Sequence, residues 1–158
     1  METKNTINLQ SVVDTHEQPF VIIDRDFTIV AVNRAYEQTY GSTRENMVGQ
    51  RCYQVSHQND KPCFEFGEDC PHQAVYQTGK SCSCLHIHDD PDGCAHQVRI
   101  KAYPLMDSAG ELYLGEADQD LSEPGKRSSD RIRMVGRSPV FQRMLEQLKL
   151  AAAADAPI

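Results

Sequence analysis

Apolar and polar residues are arranged along this chain in short blocks. Residues 19–24 read Pro-Phe-Val-Ile-Ile-Asp and residues 27–33 read Phe-Thr-Ile-Val-Ala-Val-Asn, two runs rich in β-branched residues on either side of the turn-prone Asp24-Arg25-Asp26. Such a pattern predicts a hairpin. Ahead of it, Ile7, Leu9, Val12 and Val13 fall at helical spacing and predict a short leading helix over residues 7–16. Asn33 suits an N-cap and Gly41 a stop, which places a helix over residues 34–40. Ser42 stands three residues before Glu45, a capping-box spacing that predicts a second short helix ending at Gly49. Farther on, a helix is expected over residues 69–76, stopped at Thr78-Gly79, followed by strands over residues 81–88, 97–105 and 111–118. The turns between those strands, residues 89–93 and 107–110, are rich in Asp, Gly, Ser and Pro, and such short connections produce an antiparallel meander. Residues 121–130 are polar and contain Pro-Gly, so a linker is placed at residues 122–133. Beyond it, Ser138-Pro139 opens an amphipathic helix with Phe141, Met144, Leu145, Leu148 and Ala152 on one face.

The chemistry is concentrated in residues 49–79. Cys52, Cys63 and Cys70 are spaced C-x10-C-x6-C, with His57 between the first two and Pro71 after the third. Thiolate and imidazole are the preferred ligands of zinc, and thiolates hold iron–sulfur clusters. A Cys3His set of Cys52, His57, Cys63 and Cys70 would close tetrahedrally around zinc as a structural site, whereas an iron–sulfur cluster would give the domain a redox signal to read. Thiol redox chemistry and plain burial remain open beside these readings. On the strand over residues 81–88, His86 and His88 share one face, opposite Leu85 and Ile87. Facing a cavity they could bind a metal, a haem iron or an anionic ligand; facing water they are ordinary polar residues. Cys82 and Cys84 also share a face and could supply a further ligand, while His16, His72 and His96 read as surface residues. The acidic turn Asp89-Asp90-Pro91-Asp92 lacks the sixth-position Gly and terminal Glu of an EF-hand. Ser56 beside His57 is adjacency alone, and nothing in the pattern argues for catalysis.

Composition narrows the partners. The chain has 158 residues, enough for one domain with extra segments, and 39% hydrophobic and 25% charged residues, the balance of a folding chain. Its net charge of −7 and the lack of a Lys/Arg run argue against nucleic-acid binding by this segment. No apolar stretch approaches the roughly 20 residues that span a bilayer, and Met1 to Gln10 lacks the layout of a signal peptide. A cytoplasmic location is therefore expected. In that compartment six cysteines are not a disulfide framework, and all six lie between positions 52 and 94.

The run VIIDRDFTIVAVNRAYEQTYG followed by STRENMVGQ resembles the opening of a PAS domain. The resemblance spans about residues 10–121 and implies an α+β fold, a five-stranded antiparallel sheet with short helices on one side and flanking helices at both ends. The segments C-Y-x-V-S-H, P-C, G-E-x-C-P and H-x-H are similar to a subgroup of PAS domains attached to sigma-54 activators and sensor kinases. Homodimerisation through the flanking helices is what the resemblance implies, although residues 7–13 could instead cap the chain's own sheet. The tail MVGRSPVFQRMLEQL resembles the start of the AAA+ module of sigma-54-dependent transcription activators, and the sequence contains no G-x-x-x-x-G-K-[ST] loop. The expected organisation is a PAS sensory domain over residues 1–121, a linker over residues 122–133 and the beginning of an AAA+ module over residues 134–158. The resemblance implies a non-enzymatic regulatory segment whose partner is the AAA+ domain of the same chain. Sigma-54 RNA polymerase and DNA would be met only through other domains. The alternatives are a zinc-stabilised dimerisation module and a thiol redox switch at Cys63 or Cys70.

Overall fold

A computed structural model describes residues 7–121 and 138–153. The linker placed at residues 122–133 lies outside them. Five antiparallel strands form one sheet in the order β2-β1-β5-β4-β3. They are β1 (Phe20–Ile23), β2 (Ile29–Val32), β3 (Cys82–Asp89), β4 (Ala95–Met106) and β5 (Leu112–Asp120). The predicted hairpin and meander are both present, and the meander joins the hairpin by pairing β5 with β1, Phe20 opposite Ala117 and Ile23 opposite Leu114.

Alternation along the strands gives the sheet two different faces. On one, Val21, Ile23, Ile29, Val32, Ala102 and Leu114 meet Tyr36, Tyr40, Met47 and Val75 from the helices that connect the hairpin to β3. Those helices are α2 (Arg34–Tyr40), α3 (Arg44–Met47), α4 (Cys52–Ser56) and α5 (Pro71–Thr78), with a 3-10 turn at Cys63–Phe66 between the last two. On the opposite face, α1 (Leu9–Val13) lays Val13 over Phe20, Ile22 and Ala31. The leading helix thus covers its own sheet. The final helix, α6 (Pro139–Ala153), contacts β3.

Two expectations are corrected. The capping box at Ser42 is absent: Thr43 is the N-cap of α3 and makes no side-chain cap bond. His72 is not a surface residue, because it is 5% exposed, stacked on Phe27 and Tyr76, and its Nε2 donates to the Asp24 carbonyl at 2.7 Å. The helix α4 went unforeseen because five residues carry no helical repeat. Gln54 starts it by accepting from the Arg51 amide at 3.3 Å. Gly41 closes α2 at φ +63°, and an added Cβ would come within 2.5 Å of Pro91 Cγ.

Asn33 ties the N-terminal half together. Its Oδ1 accepts from the amides of Phe20 and Tyr36, and its Nδ2 donates to the carbonyls of His16 and Gln18, all within 2.9 Å, in a residue 1% exposed. One side chain therefore caps α2, edges β1 and anchors the chain leaving α1. Asn33→Ala strands two buried and two part-buried backbone partners and is expected to destabilise the fold by about 3 kcal/mol, read as a lower urea midpoint at unchanged slope. A loss below about 1 kcal/mol would contradict this role.

Candidate functional site

Strand β3 builds the site by facing inward. Cys82, Cys84, His86 and His88 point to the helix-covered side, and the two histidines are 1% and 0% exposed. The solvent-facing reading of His86 and His88 does not hold. His57, the residue that ends α4, lies against them at 5% exposure. One ring nitrogen from each of His57, His86 and His88 lies within 4.8 Å of the other two, and among the described residues this is the group of His, Cys, Asp and Glu side chains tight enough to close on one ion.

The partners of the rings fix their tautomers, because a carbonyl only accepts. His57 Nδ1 donates to the Ile87 carbonyl at 3.0 Å, so its Nε2 carries the lone pair. His86 Nε2 donates to the Asp69 carbonyl, so its Nδ1 carries the lone pair. His57 Nε2 and His86 Nδ1 face each other at 3.4 Å. Tyr40 Oη donates to Asp118 Oδ2 at 2.9 Å and meets His88 Nδ1 at 2.5 Å, which makes Nδ1 the donor and places the lone pair of His88 on Nε2. Glu68, 4% exposed, sets one carboxylate oxygen 3.9 Å from His57 Nδ1 and the other 3.9 Å from His86 Nδ1, and also accepts from the Ile87 amide at 3.1 Å.

Behind His88 lies a pair of acids. The register sets Glu116 opposite Ala102 and Asp118 opposite Ile100 on the inner face, and both are buried. Desolvation, followed by the charge of Asp118, pushes the Glu116 carboxyl well up, so the pair resists carrying two charges. Desolvation raises Asp118 to about 7 against the opposing hydrogen bonds from Tyr40 and Glu116. Burial likewise pushes the Tyr40 and Tyr36 hydroxyls up.

The expected quartet of Cys52, His57, Cys63 and Cys70 is divided in this structure. The thiols of Cys63 and Cys70 are near neighbours that titrate as a pair, the interaction raising Cys63 and lowering Cys70. Cys70 caps α5, where the amides of Gln73 and His72 also favour its thiolate without making a full cap bond. Cys52 lies within range of the Cys70 charge, and desolvation raises its thiol. His57 instead turns toward β3, held there by the Ile87 carbonyl. Cys82 and Cys84 line the same inner side, half-buried and raised by desolvation, while Cys94 is exposed. Glu68, Tyr40, Glu116 and Asp118 escaped the reading of the sequence; the alternation of acids at positions 116 and 118 within a strand was the available signal.

At the edge of β3, α6 closes over a cleft of about 220 Å³. Gln97 donates to Gln142 at 2.7 Å, Arg99 pairs with Glu146, and Arg143 lies 3.8 Å from the carboxylate of Asp69. Asp69 therefore touches both the histidine group, through its carbonyl, and α6. No helix among the described residues is long and apolar enough to cross a membrane.

A five-stranded antiparallel sheet with a buried polar cluster beneath its connecting helices defines the architecture. Residues 13–124 match the family described as the PAS fold, and the chain belongs to that family. The PAS domain of an HTR-like protein from Haloarcula marismortui is similar at TM-score 0.56 and 16% identity, covering 72% of this chain and 88% of that one. The PAS domain of nitrogen regulation protein NR(II) from Vibrio parahaemolyticus reaches 0.57 at 16% identity, covering 73% of this chain and 100% of that one. The PAS domain of BvgS from Bordetella pertussis gives 0.50 at 17% identity over 90% of this chain and 95% of that one. No curated protein matches the sequence.

Two measurements test the site's electrostatics. Glu116 and Asp118 bind protons more tightly folded than unfolded, so the stability they contribute is intact below about pH 4 and is lost as pH climbs through about 7 and above. The urea midpoint of metal-free protein should fall between about pH 5 and about pH 8, by up to about 1.4 kcal/mol per pH unit for each proton released. Glu116→Gln should flatten the profile; an unchanged slope in that variant would refute the assignment. Brief alkylation at about pH 7.5 should modify the exposed Cys94 and, among the buried and half-buried cysteines, Cys70 ahead of Cys52, Cys63 and Cys84. Modification of Cys52 before Cys70 would contradict the stabilised thiolate.

Proposed function

We propose that this PAS domain is the signal-sensing input of a sigma-54-dependent transcription activator. Redox state, metal or a small ligand is read in the buried chamber and relayed to an AAA+ motor. The observation that carries the reading is the chamber itself: imidazoles, carboxyls and thiols gathered where a core of this size ordinarily holds apolar side chains. Groups this costly to bury mark a site of function more often than of stability. The connection to output is supported by Asp69, which bonds His86 with its carbonyl and reaches Arg143 of α6 with its carboxylate. The segment from Pro139 onward resembles the entry to an AAA+ module, so a shift of Asp69 would bias how that helix sits against β3. In this reading the active assembly is a homodimer in the cytoplasm, and DNA and polymerase are engaged by domains outside this sequence.

A second reading, a zinc-stabilised dimerisation module, is favoured by the nearness of the Cys63 and Cys70 thiols, with Cys52 within range of the Cys70 charge. In that case chelation unfolds residues 52–70 and leaves signalling output unchanged.

ATPase activity and sigma-54-dependent reporter output of the full-length protein should change when residues 1–121 are deleted, and again when Asp69→Ala uncouples α6 from the chamber. Equal output with and without residues 1–121 would remove the proposed role.

A further inference from the structure

The tautomers of the three histidines have a consequence beyond general sensing. Three imidazoles at or below 5% exposure turn one nitrogen outward, to the Ile87 carbonyl, the Asp69 carbonyl and Tyr40, and the other inward, toward one another. Ring nitrogens gathered this closely share a cation, a proton between two of them or a metal ion among all three. We propose that His57 Nε2, His86 Nδ1 and His88 Nε2 bind one divalent first-row transition ion of the zinc type, with Glu68 as the anionic group beside it. This deepens the sensory reading by naming what the chamber takes, and metal binding stands whether or not a motor follows.

Four features support it. In a tetrahedral site with metal–nitrogen bonds of about 2.0–2.1 Å, neighbouring ligand atoms lie about 3.3–3.4 Å apart, and His57 Nε2 and His86 Nδ1 are separated by 3.4 Å. That gap is long for a hydrogen bond and suits two ligands of one ion. Each imidazole also has the outer partner that metal-binding histidines use to fix ring orientation: backbone carbonyls for His57 and His86, and the Tyr40–Asp118 relay for His88. The carboxylate of Glu68, 3.9 Å from a ring nitrogen of both His57 and His86, would offset the charge of a buried dication. Finally, a nitrogen-rich set with an adjacent carboxylate suits zinc, cobalt, nickel or iron(II) over the hard ions calcium and magnesium, which take oxygen ligands.

The test is a cobalt(II) titration of the chelator-stripped 158-residue chain under reducing, anaerobic conditions, with zinc as competitor. The expected result is about one ion per chain, visible ligand-field bands of a four-coordinate centre, and displacement by zinc. His57→Gln and His86→Gln, checked for folding by circular dichroism, should abolish stoichiometric binding. Tyr40→Phe, a near-isosteric change behind His88, should weaken affinity about 10–100-fold and keeps the test meaningful if a histidine variant fails to fold. The combined Cys52→Ser, Cys63→Ser, Cys70→Ser variant should bind as the parent does, without a sulfur-to-cobalt charge-transfer band in either protein. No binding by the parent chain, unchanged affinity in folded histidine variants and Tyr40→Phe, or loss of the ion with the three cysteines would each overturn the proposal. Because the readout is metal on the protein, it is separate from any failure of transcriptional output.

Discussion

Everything in the interior of this domain answers to the cost of burying polar groups. His57, His86, His88, Glu68, Glu116 and Asp118 are all below 9% exposure in a core that also holds Tyr36 and Tyr40. An isolated buried polar group costs free energy that a small domain cannot spare, so each must find partners within the fold. The solution is local and directional: backbone carbonyls from β3 and from the residue before Cys70 take two imidazoles, a tyrosine hydroxyl takes the third, and one carboxyl keeps a proton so that its neighbour need not stand alone. Those partners fix orientation as well as satisfying donors. The result is a buried cluster in which one nitrogen of each imidazole is turned toward the other two rings.

That requirement connects scaffold to site. The five-stranded sheet supplies alternation, which turns Cys82, Cys84, His86 and His88 to one side, and register, which brings Glu116 and Asp118 to the same side from β5. The stretch from Cys52 to Cys70 supplies the lid, with α4 delivering His57 and the turn at Gly67 delivering Glu68. Asp69, next in sequence, faces the outside world through α6. Asp69 thus links the ring of His86 to α6 through a single residue.

Most of the scaffold was legible in the sequence. The hairpin, α2 with its Asn33 cap and Gly41 stop, α5 ending before Gly79 and the meander after it all announce themselves through β-branched runs, caps and turn residues, which act over a few neighbours. The site was legible only in part. The pairing of His86 with His88 follows from strand periodicity, but the choice between cavity and solvent does not, because alternation sorts residues by face without saying which face is covered. The grouping of His57 with the cysteines rested on nearness along the chain, whereas its partner proved to be the carbonyl of Ile87, thirty residues away in sequence. Glu68, Tyr40, Glu116 and Asp118 went unremarked for the same reason: their importance lies in contacts made across the sheet. His72 was misplaced because its cover comes from Phe27 on a distant turn.

The most direct test of the three-histidine centre is X-ray absorption at the zinc edge on zinc-loaded protein. The account predicts a first shell of nitrogen and oxygen at about 2.0–2.1 Å with the scattering pattern of several imidazoles and no sulfur shell at about 2.3 Å. A dominant sulfur shell, placing the ion among Cys52, Cys63 and Cys70, would contradict it.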